Sequence, residues 1–290
     1  MIGCLGIIGG SGLYNLKGLK NTEWIKIGTP WGSPSDEILT GELNGLKINF
    51  LPRHGRGHIH SPSTIPYKQN IFALKKLGVS DILSVSACGS LREDLEPGDF
   101  VLVDQFIDKT YLREKSFFGK GCVAHVSLAN PTCNRLSKII YDIGKKLNIK
   151  IHFGGTYLTM EGPQFSTLAE SKLYKENWKC DVIGMTNMPE AKLAREAEIC
   201  YTSLSMVTDF DCWHPDHESV EVSDIIDTLT NNSSKAQKII ENMPVELIKI
   251  RDKCNLGCNN SLDNALITAP DKRDKKIIND LDVILKRLNK

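Results

Sequence analysis

The fold is decided by the stretch Tyr201-Thr202-Ser203-Leu204-Ser205-Met206-Val207-Thr208-Asp209-Phe210-Asp211-Cys212-Trp213. Its first half is small and apolar enough to form a strand that is buried on both faces. Side chains alternate along a strand, so Asp209 and Asp211 are predicted to point to the same side. Because ligands of open α/β sheets bind at the carboxyl ends of strands, this end is a predicted site for a group that carries nitrogen donors. An Asp-x-Asp pair alone more often solvates a strand end or caps a helix.

The composition limits the class of protein. The chain has 290 residues, of which 41% are hydrophobic and 24% charged, and this predicts an ordinary globular protein with one domain over 1–290 and a helical C-terminal part. The formal net charge is +1, and no run of Lys and Arg is interleaved with aromatic residues. These features argue against a nucleic-acid or membrane partner and favour a small molecule. The start has no basic leader and no long apolar run follows, so a cytoplasmic location is expected.

A glycine-rich turn follows the first predicted strand. Cys4 to Ile8 is apolar, and Gly9-Gly10-Ser11-Gly12 comes directly after it. Backbone amides in such a turn can converge on an anion, with the Ser11 hydroxyl as a further donor, but a purely structural tight turn fits equally well. Asn15 stands where a dinucleotide-binding turn needs its third glycine, so a nicotinamide-dependent oxidoreductase is disfavoured.

A hairpin leads into a loop rich in Arg and His. Ile38 to Leu43 and Leu46 to Leu51 alternate around Asn44-Gly45, which is a strong hairpin signal. The second strand ends in Pro52-Arg53-His54-Gly55-Arg56-Gly57-His58. A guanidinium group can bind two phosphate oxygens at once, so this loop is predicted to be cationic and to bind phosphate, unless it is a solvated turn.

The remaining segments alternate between strands and helices. A strand over Ile82 to Val85 is expected to end before Ser86-Ala87-Cys88-Gly89-Ser90, again at a place suited to an anion or a sugar. His125 stands alone in apolar company, which is more typical of a core histidine than of a functional one. Strands are also expected over Phe100 to Val103, Gly155 to Met160 and Cys180 to Met185. Helices are expected from Pro66 to Gly78, Pro131 to Leu147, Pro189 to Glu198, Val222 to Ile240, Val245 to Arg251 and Asp274 to Leu288, with a break at Pro244.

The chain has nine cysteines, and four of them, Cys88, Cys180, Cys200 and Cys212, lie in or beside apolar runs, where a cysteine acts as a small hydrophobic residue. Cys254 and Cys258 resemble a pair that could close a disulfide. Metal binding by this pair is less expected, because a matching second pair is missing from the sequence pattern. His214 and His217 are expected to be hydrated loop residues, and no metal site is predicted.

Six motifs, in this order along residues 3–240, resemble the purine nucleoside phosphorylase/methylthioadenosine phosphorylase family. They are the Gly9–Gly12 turn, Pro52–Gly55, Ser86–Arg92, Glu161–Phe165, Met185-Thr186 with Pro189-Glu190, and Asp209–Trp213. The last motif is similar to the methylthioadenosine branch in particular. The resemblance implies an α/β fold with a central mixed sheet, distorted and partly barrel-like, flanked by helices.

The reaction implied by this resemblance is phosphorolysis, in which inorganic phosphate attacks the anomeric carbon of a nucleoside and the purine leaves. The expected substrate is S-methyl-5′-thioadenosine, with adenine and 5-methylthioribose 1-phosphate as products, in purine and methionine salvage. A phosphorylase for 6-oxopurine nucleosides is the alternative, and a silent nucleoside-binding protein is disfavoured because it needs no phosphate site. No cofactor is expected, since phosphate acts as both nucleophile and counter-charge.

The family pattern also implies residue roles. The phosphate would be bound by Ser11, Arg53, His54, Ser86, Ala87 and Thr186. Asp209 is expected to protonate the leaving purine, and Asp211 to accept a hydrogen bond from the amino group of adenine. The rest of the nucleoside site is implied to comprise Phe165 stacking on the substrate, the Met185 backbone near the ribose, Ser166 and Val222 as specificity residues, and His125 lent by a neighbouring subunit of a homotrimer or a dimer of trimers.

Overall fold

The computed structural model describes residues 3–10, 13, 16–215, 222–249 and 254–288, with the side chains of the helix at 222–249 described from Asp227 onward. Within these residues eleven strands form one mixed sheet. The strands are β1 (Cys4–Gly9), β2 (Lys20–Ile25), β3 (Ile38–Leu43), β4 (Leu46–Pro52), β5 (Val79–Ser90), β6 (Phe100–Val103), β7 (Gln105–Asp108), β8 (Ile151–Phe153), β9 (Thr156–Thr159), β10 (Val182–Gly184) and β11 (Cys200–Phe210). The helices are α1 (Tyr67–Lys76), α2 (Asn134–Lys146), α3 (Leu168–Lys172), α4 (Glu190–Glu196), α5 (Val222–Lys249), α6 (Lys275–Asp280) and α7 (Asp282–Leu285). The predicted α/β fold, a mixed sheet flanked by helices, is confirmed.

Four parallel strands form the centre of the sheet. β1 pairs in parallel with both β4 and β5, and β5 pairs in parallel with β11 along ten residue pairs. The carboxyl ends of these strands therefore lie at one edge of the sheet, which is the edge where ligands of such sheets bind.

The sheet branches at β5. On one edge of this strand β1 is paired up to Ser84, and β10 takes over at Gly89 in the antiparallel direction. Between these points Val85 to Cys88 have a ladder partner on the β11 side only, as far as the described strands go. The sequence predicted that this strand ends at Val85. This prediction is wrong, because hydrogen bonding to β11 extends the strand to Ser90. The predicted hydroxyl and glycine motif thus lies within a strand, beside the gap that β1 and β10 leave along one edge of β5, which we call the crevice.

Helices cover both faces of the sheet. In β1, Cys4 and Ile8 face one apolar cluster with residues of α1, α4 and α7, whereas Leu5 and Ile7 face another with residues of α2 and α5. This division follows from the alternation of side chains along a strand. Both faces of β1 are therefore buried, and the polar groups of the site lie beyond its carboxyl end or in the second half of β5.

Predicted helix boundaries in the C-terminal part also differ from the structure. The C-terminal part is helical, but α5 continues through Pro244 to Lys249. Ile239, Ile240 and Met243 are all fully buried, so packing next to the proline outweighs the hydrogen bond that it removes. The segment predicted as one helix from Asp274 is divided into α6 and α7. The hairpin is confirmed, with Asn44 and Gly45 both at positive φ.

Candidate active site

The guanidinium of Arg53 lies buried at the carboxyl edge of the sheet, directly after β4. Its Nε donates to Glu190 Oε1 at 2.5 Å, and its Nη2 donates to Glu190 Oε2 at 3.2 Å and to Ser84 Oγ at 2.5 Å. Nη1 donates to the Val85 carbonyl at 2.9 Å. Of the five N–H groups of an arginine, these contacts use four, so one Nη1–H remains for an anion in the crevice. The two-pronged phosphate contact expected from the sequence is therefore reduced to a single donor.

Asn187 links this ion pair to the phosphate residues predicted on β5 and after β10. Its Oδ1 accepts hydrogen bonds from Ser84 Oγ at 3.0 Å and from Tyr201 Oη at 3.1 Å. Its Nδ2 lies 3.4 Å from Ser86 Oγ. Asn187 has a φ of 71°, a left-handed conformation that asparagine tolerates. Next to it, the Thr186 carbonyl accepts from Thr159 Oγ1 at 3.1 Å, which fixes the end of β10. Arg53, Ser86 and Thr186 are thus brought together.

Tyr157 is a residue of this region that the sequence did not single out. It is fully buried, and its Oη makes no hydrogen bond to any residue that the structure describes. Burial raises its pKa, an effect that the neighbouring Thr186 and Ser86 hydroxyls only partly offset, so the phenol stays neutral. A Cβ on Gly184 would lie 1.9 Å from Tyr157 Oη and 3.3 Å from the Ala87 carbonyl, so only glycine fits there. The phenol is a spare hydrogen-bond donor beside Ser86 and Thr186.

His54 is held in one orientation. Its Nδ1 lies 2.8 Å from the His60 carbonyl, and its ring stacks on His58 with centroids 4.1 Å apart. Burial lowers the pKa of His54 to about 4. The ring is therefore neutral near pH 7, and since a carbonyl only accepts, Nδ1 carries the proton and Nε2 is an acceptor.

The cationic loop expected from the sequence is divided into two parts. Arg53 points inward onto Glu190, whereas Arg56 is exposed and pairs with Asp36 at 2.8 Å and with Glu37 at 2.9 Å. Its guanidinium also lies 4.3 Å from the centroid of the Trp24 ring. With His54 neutral as well, Arg53 is the loop's cation at the crevice. The interpretation of the loop as one dense positive patch is wrong, because each arginine has its own carboxylate partner.

Asp209 and Asp211 both lie over Gly89 of β5. A Cβ on Gly89 would be 3.0 Å from Asp209 Oδ2 and 3.5 Å from Asp211 Cβ, so the predicted common side is observed. A register shift between Val207 and Asp209 places Asp209 opposite Gly89, and Thr208 Oγ1 donates to Asp209 Oδ1 at 2.6 Å. Asp209 is half-buried and Asp211 is buried.

The Asp211 carboxyl has an unsatisfied oxygen. Burial raises its pKa more than the nearby Ser171 and Ser166 hydroxyls lower it. Its Oδ2 is buried and accepts no hydrogen bond from the described residues. Buried polar atoms are nearly always paired, so this oxygen marks a place where a bound donor belongs.

The loop after β9 brings Phe165 and Ser166 to this end of the site. Glu161 accepts from Arg113 Nε at 3.1 Å and from the Tyr111 backbone at 2.6 Å, and this buried pair fixes the start of the loop. The Ser166 carbonyl accepts from Cys212 Sγ at 3.4 Å, next to Asp211. Phe165 is 47% exposed, as expected for a ring available to stack on a ligand. Met185 packs against Gly162 of the same loop.

Three predicted residues lie apart from this assembly or cannot be placed. His125 is exposed, and its backbone N–H donates to the Ala265 carbonyl at 2.9 Å, so the interpretation as a core histidine is wrong. Ser11 lies outside the described residues. Val222 is the first residue of α5, but its side chain is also outside the described part.

One strand joins the two ends of the site. The Val85 carbonyl contacts Arg53, and Gly89 lies under Asp209, four residues further along β5. Four residues of a strand span about 13 Å. The crevice therefore offers anion donors at one end and two carboxylates at the other, an arrangement that defines an α/β protein for a small ligand with an anionic and a nitrogen-rich part.

Comparison with known proteins identifies the family. The Phosphorylase superfamily matches residues 5–243, and the chain belongs to it. A relative from Cereibacter sphaeroides named S-methyl-5′-thioadenosine phosphorylase is 60% identical over 286 residues, which cover 99% of this chain and 98% of the relative. One from Rhodospirillum rubrum with the same name is 55% identical over 98% of this chain and 96% of its own length.

Solved structures agree with this assignment. A methylthioadenosine phosphorylase from an Antarctic soil metagenomic library has a TM-score of 0.92 at 46% identity, covering 98% of this chain and 100% of that chain. The Schistosoma mansoni methylthioadenosine phosphorylase in complex with adenine has a TM-score of 0.79 at 36% identity, covering 86% of this chain and 93% of that chain. The predicted family is therefore confirmed.

Proposed function

We propose that the chain catalyses the phosphorolysis of S-methyl-5′-thioadenosine to adenine and 5-methylthioribose 1-phosphate. The observation that carries the proposal is the placement of the Arg53 contact and the Asp209 contact four residues apart on β5. A nucleoside lying along this strand would have its sugar between the bound phosphate and the carboxyl group of Asp209, which protonates the purine. The names of the relatives at 55–60% identity support the same reaction.

At the phosphate end, the anion is held by hydroxyl groups and one guanidinium N–H. Its proposed ligands are Ser86, Thr186, the Ala87 backbone and, from the sequence motif, Ser11, and the unpaired Tyr157 hydroxyl is a further donor. The His54 Nε2 accepts a hydrogen bond from a P–OH group. Since Glu190 already neutralises Arg53, the dianion keeps its own charge as it approaches the anomeric carbon, where positive charge develops. No cofactor takes part in this step.

At the base end, the two aspartates have different tasks. Asp209 protonates the imidazole nitrogen of the leaving purine, because a purine leaves more easily as a neutral molecule. Asp211 Oδ2 accepts from the exocyclic amino group of adenine, which satisfies the buried oxygen. A 6-oxopurine presents an acceptor at this position and leaves Asp211 unpaired, so adenine is the preferred base.

An assay of adenine release tests the function. Purified protein with S-methyl-5′-thioadenosine should release adenine only when inorganic phosphate is present, together with 5-methylthioribose 1-phosphate. S-methyl-5′-thioinosine at the same concentration should react at least about tenfold more slowly, because it leaves a buried polar group unpaired. Release of adenine without phosphate, or faster turnover of the inosine compound, would contradict the proposal.

We further propose that the active enzyme is a homotrimer in which His125 of one subunit completes the site of the next. Ile59, Tyr111 and Leu112 are large apolar side chains that are mostly exposed, and Glu161 ties Tyr111 and Leu112 to the Phe165 loop. Exposed apolar side chains beside a binding site support a subunit interface there. Light scattering should give three chains per particle, and Tyr111→Glu should reduce this number.

Shared sites can be tested by mixing subunits. His125→Ala and Asp209→Asn proteins, each weakly active, should regain activity after joint refolding, because some sites combine an intact His125 with an intact Asp209. No gain on mixing would contradict a shared site.

We place the enzyme in the cytoplasm, since all nine cysteines are unpaired, as in proteins of reducing compartments. No helix among the described residues is long and apolar enough to cross a membrane.

A further inference from the structure

Four cysteines that are distant in sequence meet at one point of the fold. The Sγ atoms of Cys133, Cys200, Cys254 and Cys258 all lie within 4.8 Å of one another. Cys133 precedes α2, Cys200 begins the central strand β11, and the other two lie in the turn after α5. Three of the four are buried, and Cys254 is half-buried. The cluster lies within the apolar layer of α2 and α5, so it is separate from the crevice at the carboxyl edge.

The spacing of the sulfur atoms fits a tetrahedral metal ion. Zn–S bonds of about 2.3 Å place the corners of a tetrahedron about 3.8 Å apart. Cys133 Sγ and Cys254 Sγ are 3.7 Å apart. A disulfide would need two sulfur atoms at about 2.05 Å, and all nine cysteines of the chain are unpaired.

The local backbone supports the same interpretation. Cys254 and Cys258 are separated by three residues, within the range typical of zinc ligands in one turn. Gly257 has a φ of 66°, and its N–H donates to the Cys254 carbonyl at 3.2 Å, which folds the turn so that both thiols face inward. Cys133 stands at the N-terminus of α2, where backbone N–H groups favour a thiolate.

A positive side chain lies beside the cluster. Arg135, two residues after Cys133, donates through its Nη2 to the Asp81 carboxylate, and its guanidinium lies next to the sulfur atom of Cys200. Its Nε is buried and has no hydrogen-bond partner among the described residues. A zinc ion with four thiolates has a net charge of −2, and an adjacent guanidinium offsets part of it while donating to a thiolate.

We propose that these four cysteines form a structural zinc site. Four protein ligands close the coordination sphere, so the ion has no open position for substrate and serves the fold. It joins the turn after α5 to β11 and α2. The segment that follows this turn pairs with the residues around His125, through the Ala124–Leu266 bridge. The ion thereby also stabilises the segment around Leu266, which pairs with the residues next to His125.

Metal and thiol analysis of untagged protein tests the proposal, provided that no chelator or immobilised-metal column is used. We expect about one zinc per chain by mass spectrometry. In guanidinium with a chelator, without reductant, all nine cysteines should react with a thiol reagent. Two disulfides in the cluster would leave five reactive thiols, since four of the nine would be bonded. Five thiols without zinc, nine thiols without zinc, or iron in place of zinc would each overturn the assignment.

Variants locate the ion. Cys254→Ser, at the half-buried position, should lose most of the zinc and lower the Tm by about 5 °C or more. The control is Cys180→Ser, because it makes the same chemical change at a cysteine that lies in a different apolar cluster. This control should keep one zinc per chain. If Cys254→Ser does not fold, zinc release from the wild-type protein by a mercurial reagent, followed with a colorimetric chelator, gives the same answer. Zinc retained by Cys254→Ser, or no release, would contradict the proposal.

Discussion

The Arg53 guanidinium and the Glu190 carboxylate form an ion pair of 2.5 Å, with side chains only 3% and 1% exposed. Removing one partner of such a pair leaves an uncompensated charge in the core. Glu190→Gln should therefore lower the free energy of unfolding by about 3–5 kcal/mol, as measured by urea denaturation. Glu37→Gln makes the same chemical change at the surface pair with Arg56 and should cost much less, because water screens an exposed pair. Equal losses in the two variants would contradict the importance of burial.

The half-buried His54 should make the stability of the protein depend on pH. Its pKa is about 4 in the folded protein, below the usual value of about 6.5, so the unfolded chain binds more protons between these values. This contribution is present above pH 6.5 and is lost as the pH falls through 4, for a total of about 3 kcal/mol. His54→Gln should flatten the loss of stability between pH 6.5 and 4, measured by denaturant unfolding. The exposed His125→Gln is the control, and an unchanged slope in His54→Gln would refute the prediction.

Gly89 provides space for Asp209, and a methyl group there should disturb the carboxyl. The added Cβ of Gly89→Ala would lie 3.0 Å from Asp209 Oδ2 and 3.3 Å from Ile183 Cγ2. We expect kcat to fall about 100-fold, as for other small displacements of a catalytic group, while the Tm changes little. Gly28→Ala, where the new Cβ meets nothing within 4 Å, should leave kcat unchanged. Wild-type kcat in Gly89→Ala would count against the proximity of Asp209 to the reaction.

Asp209→Asn should lower kcat by a factor of about 10²–10⁴, the usual contribution of a general acid. A substrate methylated at the purine nitrogen that Asp209 protonates leaves without a proton. Its rate should therefore be nearly the same in the variant and the wild type. A similar loss with both substrates would show that Asp209 acts on folding or binding instead.

Asp211→Asn should change the choice of base. An amide can donate to the oxygen of a 6-oxopurine, whereas the carboxylate of Asp211 only accepts. The ratio of kcat/KM for S-methyl-5′-thioadenosine over S-methyl-5′-thioinosine should fall by about 10-fold or more. A ratio that does not change would mean that Asp211 Oδ2 does not contact the base.

The sequence predicted those elements that depend on interactions between residues close together in the chain. Asn44-Gly45 and the alternation around it set the hairpin, and short apolar runs located the other predicted strands. Six motifs in order identified the family, although none of them would suffice alone. The helix break predicted at Pro244 is wrong. The energetic cost of a proline can be read from the sequence, whereas the burial of Met243 and Ile240 that offsets it depends on residues far away in the chain.

The contacts that organise the site join residues far apart in the chain. Glu190 lies at the start of a helix that the sequence predicted, but its contact with Arg53 spans 137 positions. Cys254 and Cys258 were noticed as a pair, while Cys200 was classed with the apolar runs and Cys133 was not singled out. Sequence periodicity carries no information on such partners, so Tyr157, Asn187 and the cysteine cluster became visible only in three dimensions.

The branch point of the sheet has a consequence for how this enzyme family can diversify. On the proposed function, β5 supports the nucleophile at Val85 and the acid at Gly89, so the distance between them is a property of one backbone. Substitutions in the surrounding loops can alter which base or 5′ group is accepted. They do not change the distance between the attacking phosphate and the acid that protonates the leaving purine. New specificities can therefore evolve while the catalytic geometry stays the same.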